Sequence, residues 1–286
     1  MKTKKIGKGV NRSLGGDIFV FLILMIVGAF MMVPFVYAIV QSFKPLEEIF
    51  VYPPKFFVRN PTLENYQTLS QITDSLWIPF SKYISNSIIV TVAGTVLNIA
   101  FCSMAAFALA KYPFPGHKWM FKLVVSALLF TGAVTQLPKY IILSKLNMIN
   151  TLWSIILPAA GAPLGLFLMK NFMTQIPDSV IEAAKIDGAG IFYTFRKICM
   201  PLVRPAELTL IIIAFQDMWN ATGSTYIYEE RWKLLPAILS DVVSSGLARA
   251  GASSASTVLM MIPPCLLFIL LQSRIVETMS FSGIKG

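Results

Sequence analysis

The stretch that decides the reading is Pro177–Pro205, PDSVIEAAKIDGAGIFYTFRKICMPLVRP. It is the longest run in the second half of the chain without a membrane-spanning pattern, and its signals spell helix, glycine turn, helix. Ser179 and Glu182 have the Ser-x-x-Glu spacing of a capping box, in which hydroxyl and carboxylate each satisfy a backbone N–H at a helix start. Pro177 sits just ahead, where a missing N–H does no harm. Val180, Ile181, Ala183, Ala184 and Ile186 form a short apolar face, and Gly188 is placed to end the helix in a left-handed turn. A second helix is expected over Ile191–Met200, stopping at Pro201. With Arg196, Lys197 and Arg204 around it, such a hairpin between two apolar spans is a shape that a soluble partner can grip.

The composition puts that hairpin in a membrane protein. Of 286 residues, 56% are hydrophobic and only 13% charged, about half the charged share usual in soluble domains. The net charge of +10 does not point to nucleic acid, because the basic residues lie in clusters beside apolar spans. That placement is what topology control and anionic headgroups produce. Cys102, Cys199 and Cys265 are far apart, with no metal spacing, and read as reduced packing residues. The single histidine, His117, has no second histidine to share a metal with and reads as a headgroup-facing residue. The first apolar run, about twenty residues long, exceeds a signal-peptide core.

Taken in order, residues 1–17 form a basic arm carrying Lys2, Lys4, Lys5, Lys8 and Arg12, and a first span follows over 18–40. Residues 41–81 form a loop whose acidic residues nearly balance its basic ones, which places the arm in the cytoplasm and this loop outside. Further spans are expected over 84–110, 119–136, 152–169, 206–219 and 256–272, within a core of 82–273 that holds the hairpin on its cytoplasmic side. Residues 139–150 read as a short external connection and 220–255 as a polar Ser- and Gly-rich external loop; 274–286 is a cytoplasmic tail. Most of the 24 Lys and Arg fall in the segments so assigned to the cytoplasm. The fold expected is therefore an all-α membrane protein of six transmembrane helices with both termini cytoplasmic. Glu207 and Asp217 read as border residues of the fifth span. Asn86, Asn98 and Gln136 either tie helices together or line a pathway.

The hairpin resembles the EAA loop of the membrane subunits of binding-protein-dependent ABC importers. Glu182-Ala183-Ala184, Gly188, Ile198 and Pro201 match that pattern in spacing, with Met200 where leucine is usual, and Asp187 fits the segment before the glycine. Ala105–Gly116 (AAFALAKYPFPG) resembles the end of the second span in carbohydrate-type permeases. Trp219-Asn220 and the terminal Gly283–Gly286 add weaker likenesses. Together they cover most of 82–286, and the chain is most similar to the maltose-transporter-like group. It departs from the group after Trp219-Asn220, where Ala221-Thr222-Gly223 replaces the usual acidic and aromatic pair.

The resemblance implies a type I importer transmembrane domain that forms half of a translocation pore for a sugar or oligosaccharide. Its partners would be a second homologous permease, an ATP-binding-cassette ATPase dimer, an extracytoplasmic solute-binding protein and membrane lipid. Ser179, Glu182, Ala183, Ala184, Asp187, Gly188, Ile198 and Pro201 would form the ATPase-coupling loop. No catalytic, metal or sugar-contacting residue is assigned and no cofactor is expected, ATP being used by the partner. The chain itself has no Gly-x-x-x-x-Gly-Lys-Ser/Thr loop to cradle phosphates. Two other classes stand as alternatives. A stand-alone secondary transporter usually has a longer chain with inverted repeats, of which six spans could be half, and the Glu-Ala-Ala spacing separates the two. An intramembrane enzyme needs a nucleophile–base pair or metal cluster at membrane depth, which one loop histidine and scattered acids do not supply.

Overall fold

A central helix, α4 (Phe80–Lys111), organises the molecule, and its sequence explains why. Small and polar residues (Asn86, Ser87, Thr91, Gly94, Thr95, Asn98, Cys102, Ser103, Ala106) recur at helical spacing along it, and all are buried. Such residues let neighbouring backbones approach closely in an apolar medium. The computed structural model describes residues 14–74, 78–244, 246 and 249–282. Residues 1–13 of the basic arm and the Gly283–Gly286 motif, with Lys285, lie outside the described residues, and the rest of the arm, from Leu14, already belongs to the first helix.

The described elements are helical, joined by turns and by two longer stretches, 50–63 and 220–234, the second holding a 3-10 turn at Glu230–Trp232. They are α1 (Leu14–Ser42), α2 (Leu46–Ile49), α3 (Glu64–Asp74), α4, α5 (His117–Ala127), α6 (Gly132–Lys145), α7 (Trp153–Ala160), α8 (Pro163–Thr174), α9 (Asp178–Ile186), α10 (Ile191–Tyr193), α11 (Met200–Leu202), α12 (Arg204–Trp219), α13 (Leu235–Ser244) and α14 (Ala250–Ser282). A π-helical segment, Thr194–Cys199, joins α10 to α11. Four stretches are long and apolar enough to cross a bilayer, α1, α4, α7–α8 and α14; the bent pairs α5–α6 and α10–α11 with α12 raise that to six. α1 packs against α14, and α4 packs against α7, α8 and α12.

Several boundaries differ from those expected. The third span is not one helix over 119–136. It breaks after Ala127, and α6 leaves at 114° to α5, because Thr131 is extended (ψ 156°) and starts a new helix at Gly132. That helix runs through Pro138 to Lys145, so most of the supposed connection 139–150 is helical. The loop 220–255 contains α13, and α14 begins at Ala250 rather than Ser256. Leu235, Ile238, Leu239 and Val242 bury one face of α13 at i, i+3, i+4, i+7 spacing. Pro236 is tolerated in its first turn, where its missing N–H is not needed.

Three buried clusters hold these helices. One joins α4, α8, α9 and α12 around Met169, Met173 and Cys199. A second joins α3, α13 and α14 to the start of α4 and the end of α12, around Tyr83 and Trp219. The third packs α7 and residues 227–234 on the middle of α4. Polar side chains fix the registers. Asn98 Nδ2 donates to the Ala159 carbonyl at 2.7 Å, and Asn86 Nδ2 donates to the carbonyls of Arg231 and Lys233. Gln136 Nε2 donates to Thr225 Oγ1 at 2.6 Å, and Trp219 Nε1 donates to the Met260 carbonyl at 2.9 Å. All three amides thus tie segments together.

Candidate coupling hairpin and cavities

α9 starts at Asp178, two residues before the Val180 start that a Ser179 cap requires. Pro177 occupies the cap site with extended geometry (φ −60°, ψ 138°), and no side chain caps the helix. The expected capping box is therefore absent. Proline presets the turn into a helix without offering a donor, which displaces Ser179 and Glu182 into the helix, where both are exposed. Asp178 places a carboxylate in the first turn and Lys185 an ammonium in the last, both favourable to the helix dipole.

The helix ends as its sequence says. Gly188 has φ 78°, its N–H bonds the Lys185 carbonyl (3.0 Å), and the Ala189 N–H bonds the Ala184 carbonyl (2.9 Å). This pair of bonds is a Schellman turn, and only glycine adopts its left-handed residue without steric cost. Ile181 and Ala184 are buried, Ile181 packing with Met173 and Ile176, while Ala183, Asp187 and Ile186 point away. Ile186 is 86% exposed, an apolar side chain presented at the tip of the hairpin.

The return arm passes Pro201 instead of stopping there. Ile198 lies half-buried in the π segment, Pro201 sits in α11, and the chain turns by 84° at Val203 into α12. A proline removes one donor and crowds the turn before it; the wider π turn upstream accommodates that ring. Rings bind this arm to α4: Phe107 lies 5.3 Å from both Tyr112 and Phe195, and Lys185 sits over Tyr112. One contact had no signal in the residue types alone. Lys111 Nζ donates to the Ile176 carbonyl and to Asp178 Oδ1 (2.7 Å), fastening the end of α4 to the start of α9.

Two cavities flank the core. One, of about 560 Å³, lies where α4 meets the return arm and α12, lined by Ile99, Ser103, Phe192, Phe195, Arg196, Arg204 and Glu207. The other, of about 530 Å³, lies where helices are interrupted: at the α5–α6 break, at Gly161–Ala162 between α7 and α8, and at Ala221–Gly223 after α12. Thr135, Lys139, Ser154 and Tyr226 supply its polar groups. Gly223 (φ 68°) keeps this wall open, since a Cβ there would stand 2.6 Å from Ile155 Cδ1. Nearby, Glu230 accepts from Tyr83 (2.8 Å) and pairs with Lys233 (2.7 Å). Burial pushes its carboxyl up, but those two hydrogen bonds and the Lys233 charge outweigh burial, leaving it below the usual carboxylate range. Among the described residues no cluster of His, Cys, Asp or Glu is arranged to hold a metal, and His117 Nδ1 lies 2.7 Å from the Phe114 carbonyl.

No family model matches the chain. Several curated relatives match over most of their length. Protein LplC of Bacillus subtilis is 28% identical, covering 94% of this chain and 95% of that protein. The arabinooligosaccharides transport system permease protein AraQ of Halalkalibacterium halodurans is 27% identical over 88% of this chain and 91% of its own. The polygalacturonan/rhamnogalacturonan transport system permease protein YtcP of Bacillus subtilis is 28% identical, covering 94% and 98%. The relatives it matches are permease subunits of ABC transporters. The fold agrees: a crystal structure of a bacterial ABC transporter that imports the acidic polysaccharide alginate has a chain matching this permease with TM-score 0.75. It is 21% identical, over 92% of the permease and 99% of that chain. The permease is accordingly an integral membrane transport subunit rather than an enzyme.

Proposed function

We propose that this permease forms half of the pore of an importer for an oligosaccharide. A second permease completes the pore, an ATPase dimer docks on the hairpin 177–205, and an extracytoplasmic binding protein delivers the solute. The observation that carries this reading is the hairpin itself. A helix closed by a Schellman turn presents Ile186 outward on one side and rests on the core through Ile181 and Ala184 on the other. A rigid helix with an exposed apolar tip is suited to a groove in a partner. Relatives whose names specify arabinooligosaccharides, polygalacturonan or rhamnogalacturonan, and diacetylchitobiose support the carbohydrate class.

Ser179, Glu182, Ala183 and Ile186 would meet the ATPase, Ala184 and Ile198 would hold the hairpin on the core, and Asp187, Gly188 and Pro201 would shape it. ATP would be used by the partner, with no cofactor on this chain. The solute path would pass the cavity at the interrupted helices, since broken helices free backbone groups to face a polar solute. Closure of the ATPase dimer would carry the hairpin as a rigid body and re-pack the helices around that cavity. Affinity purification of the full chain in mild detergent tests the reading. Co-elution of an ATPase and a second permease is expected; a homodimer that transports without an ATPase would overturn it.

A further inference from the structure

Besides the ring contacts of Phe107 and Tyr112, the hairpin and α4 meet through one buried charge. The Lys111 side chain is 3% accessible, and its ammonium is held by the Ile176 carbonyl and the Asp178 carboxylate, one on each side of Pro177. An ammonium removed from water is costly unless acceptors hold it in a defined geometry. Asp178 is 80% accessible, so its carboxylate and the Ile176 carbonyl together hold the ammonium against the cost of burial.

The chain reaches the hairpin from α8 and leaves it into α12; Lys111 joins it to a helix 65 residues upstream. That helix packs against α7, α8 and α12 and carries five of the six buried side-chain polar atoms without a partner among the described residues, Asn86 Oδ1, Thr91 Oγ1, Thr95 Oγ1, Asn98 Oδ1 and Ser103 Oγ. α4 is thus the element with most to rearrange when the core re-packs. We infer that Lys111 is a positioning residue that passes displacement of the hairpin directly to α4. This rests on the ATPase docking proposed above.

The test uses the complete complex, with ATP and vanadate to trap the closed ATPase and backbone hydrogen exchange as the readout. In the unaltered complex, trapping is expected to change exchange both in the hairpin (178–202) and in α4 (80–111). With Lys111→Met, the change in the hairpin persists while that in α4 is lost, and Lys111→Arg restores it. A purely structural role predicts instead faster exchange in both segments, with or without ATP. Should Lys111→Met fail to assemble, Asp178→Asn retains the carbonyl acceptor and a polar side chain, and a diminished response in α4 is expected. An undiminished trapped-state change in α4 in an assembled Lys111→Met complex, or in Asp178→Asn where Lys111→Met does not assemble, overturns the inference and leaves the docking reading standing. A wild-type chain that brings no ATPase overturns both.

Discussion

Gly188 offers a graded perturbation whose size follows from the backbone alone. Its φ is 78°, and a Cβ built on it meets no atom within 4 Å, so a substitution there encounters a conformational cost and no collision. For an L-residue the left-handed conformation costs about 1–2 kcal/mol, less for asparagine and more for a β-branched side chain. One to two kcal/mol is roughly a 5- to 30-fold change in an equilibrium. If the Schellman turn sets the shape that the ATPase receives, Gly188→Ala should weaken ATPase association by roughly that factor, Gly188→Asn by less and Gly188→Val by more. Gly190 provides the control. It is equally open but has φ −68°, which alanine adopts freely, so Gly190→Ala should bind the ATPase as the parent does. Titration of purified ATPase onto the permease pair in nanodiscs, together with uptake, reads the series. Equal affinities for glycine, asparagine, alanine and valine at 188, or an equal loss in Gly190→Ala, would refute the reasoning.

Two further outcomes follow from the packing. At Gly165 a Cβ would stand 2.9 Å from Leu210 Cδ1, 3.0 Å from Cys102 Sγ and 3.2 Å from Asn98 Oδ1. Gly165→Val should therefore destabilise the α4–α8–α12 junction by about 1–3 kcal/mol, seen as a lower thermal midpoint in detergent. Glu230 has a lowered folded-state pKa, so its pairing with Tyr83 and Lys233 stabilises the fold above the unfolded carboxylate value, near about 4.3, and this contribution is lost as pH falls through the folded value. Acid should accordingly loosen residues 226–235 first, and Glu230→Gln should flatten that dependence in hydrogen exchange.

The hairpin shows how far residues can be read without coordinates. Gly188 was legible because a left-handed turn admits few residue types, whereas of the apolar face Val180, Ile181, Ala183, Ala184 and Ile186 only Ile181 and Ala184 are buried, and Ala183 and Ile186 turn outward. Ser179 misled because its spacing fitted a capping box, whereas Pro177 had already fixed the start of the helix. Pro201 misled because a π segment upstream made room for it. The stripe of α13 was present in Leu235, Ile238, Leu239 and Val242 but was hidden by the Ser and Gly content around it. The break at Thr131 left the apolar run continuous and so gave no compositional signal. Lys111 counted only as a topological charge, because a contact across 67 residues is a property of the fold and not of local spacing.

The central claim is that an ATPase seats on the tip of this hairpin. A photocrosslinking residue in place of Ile186, irradiated in native membranes, measures that contact directly. The account predicts an adduct with a soluble ATPase that carries a phosphate-binding loop, and its disappearance in Gly188→Val. Adducts with lipid alone, or with another permease copy and no ATPase, would contradict it.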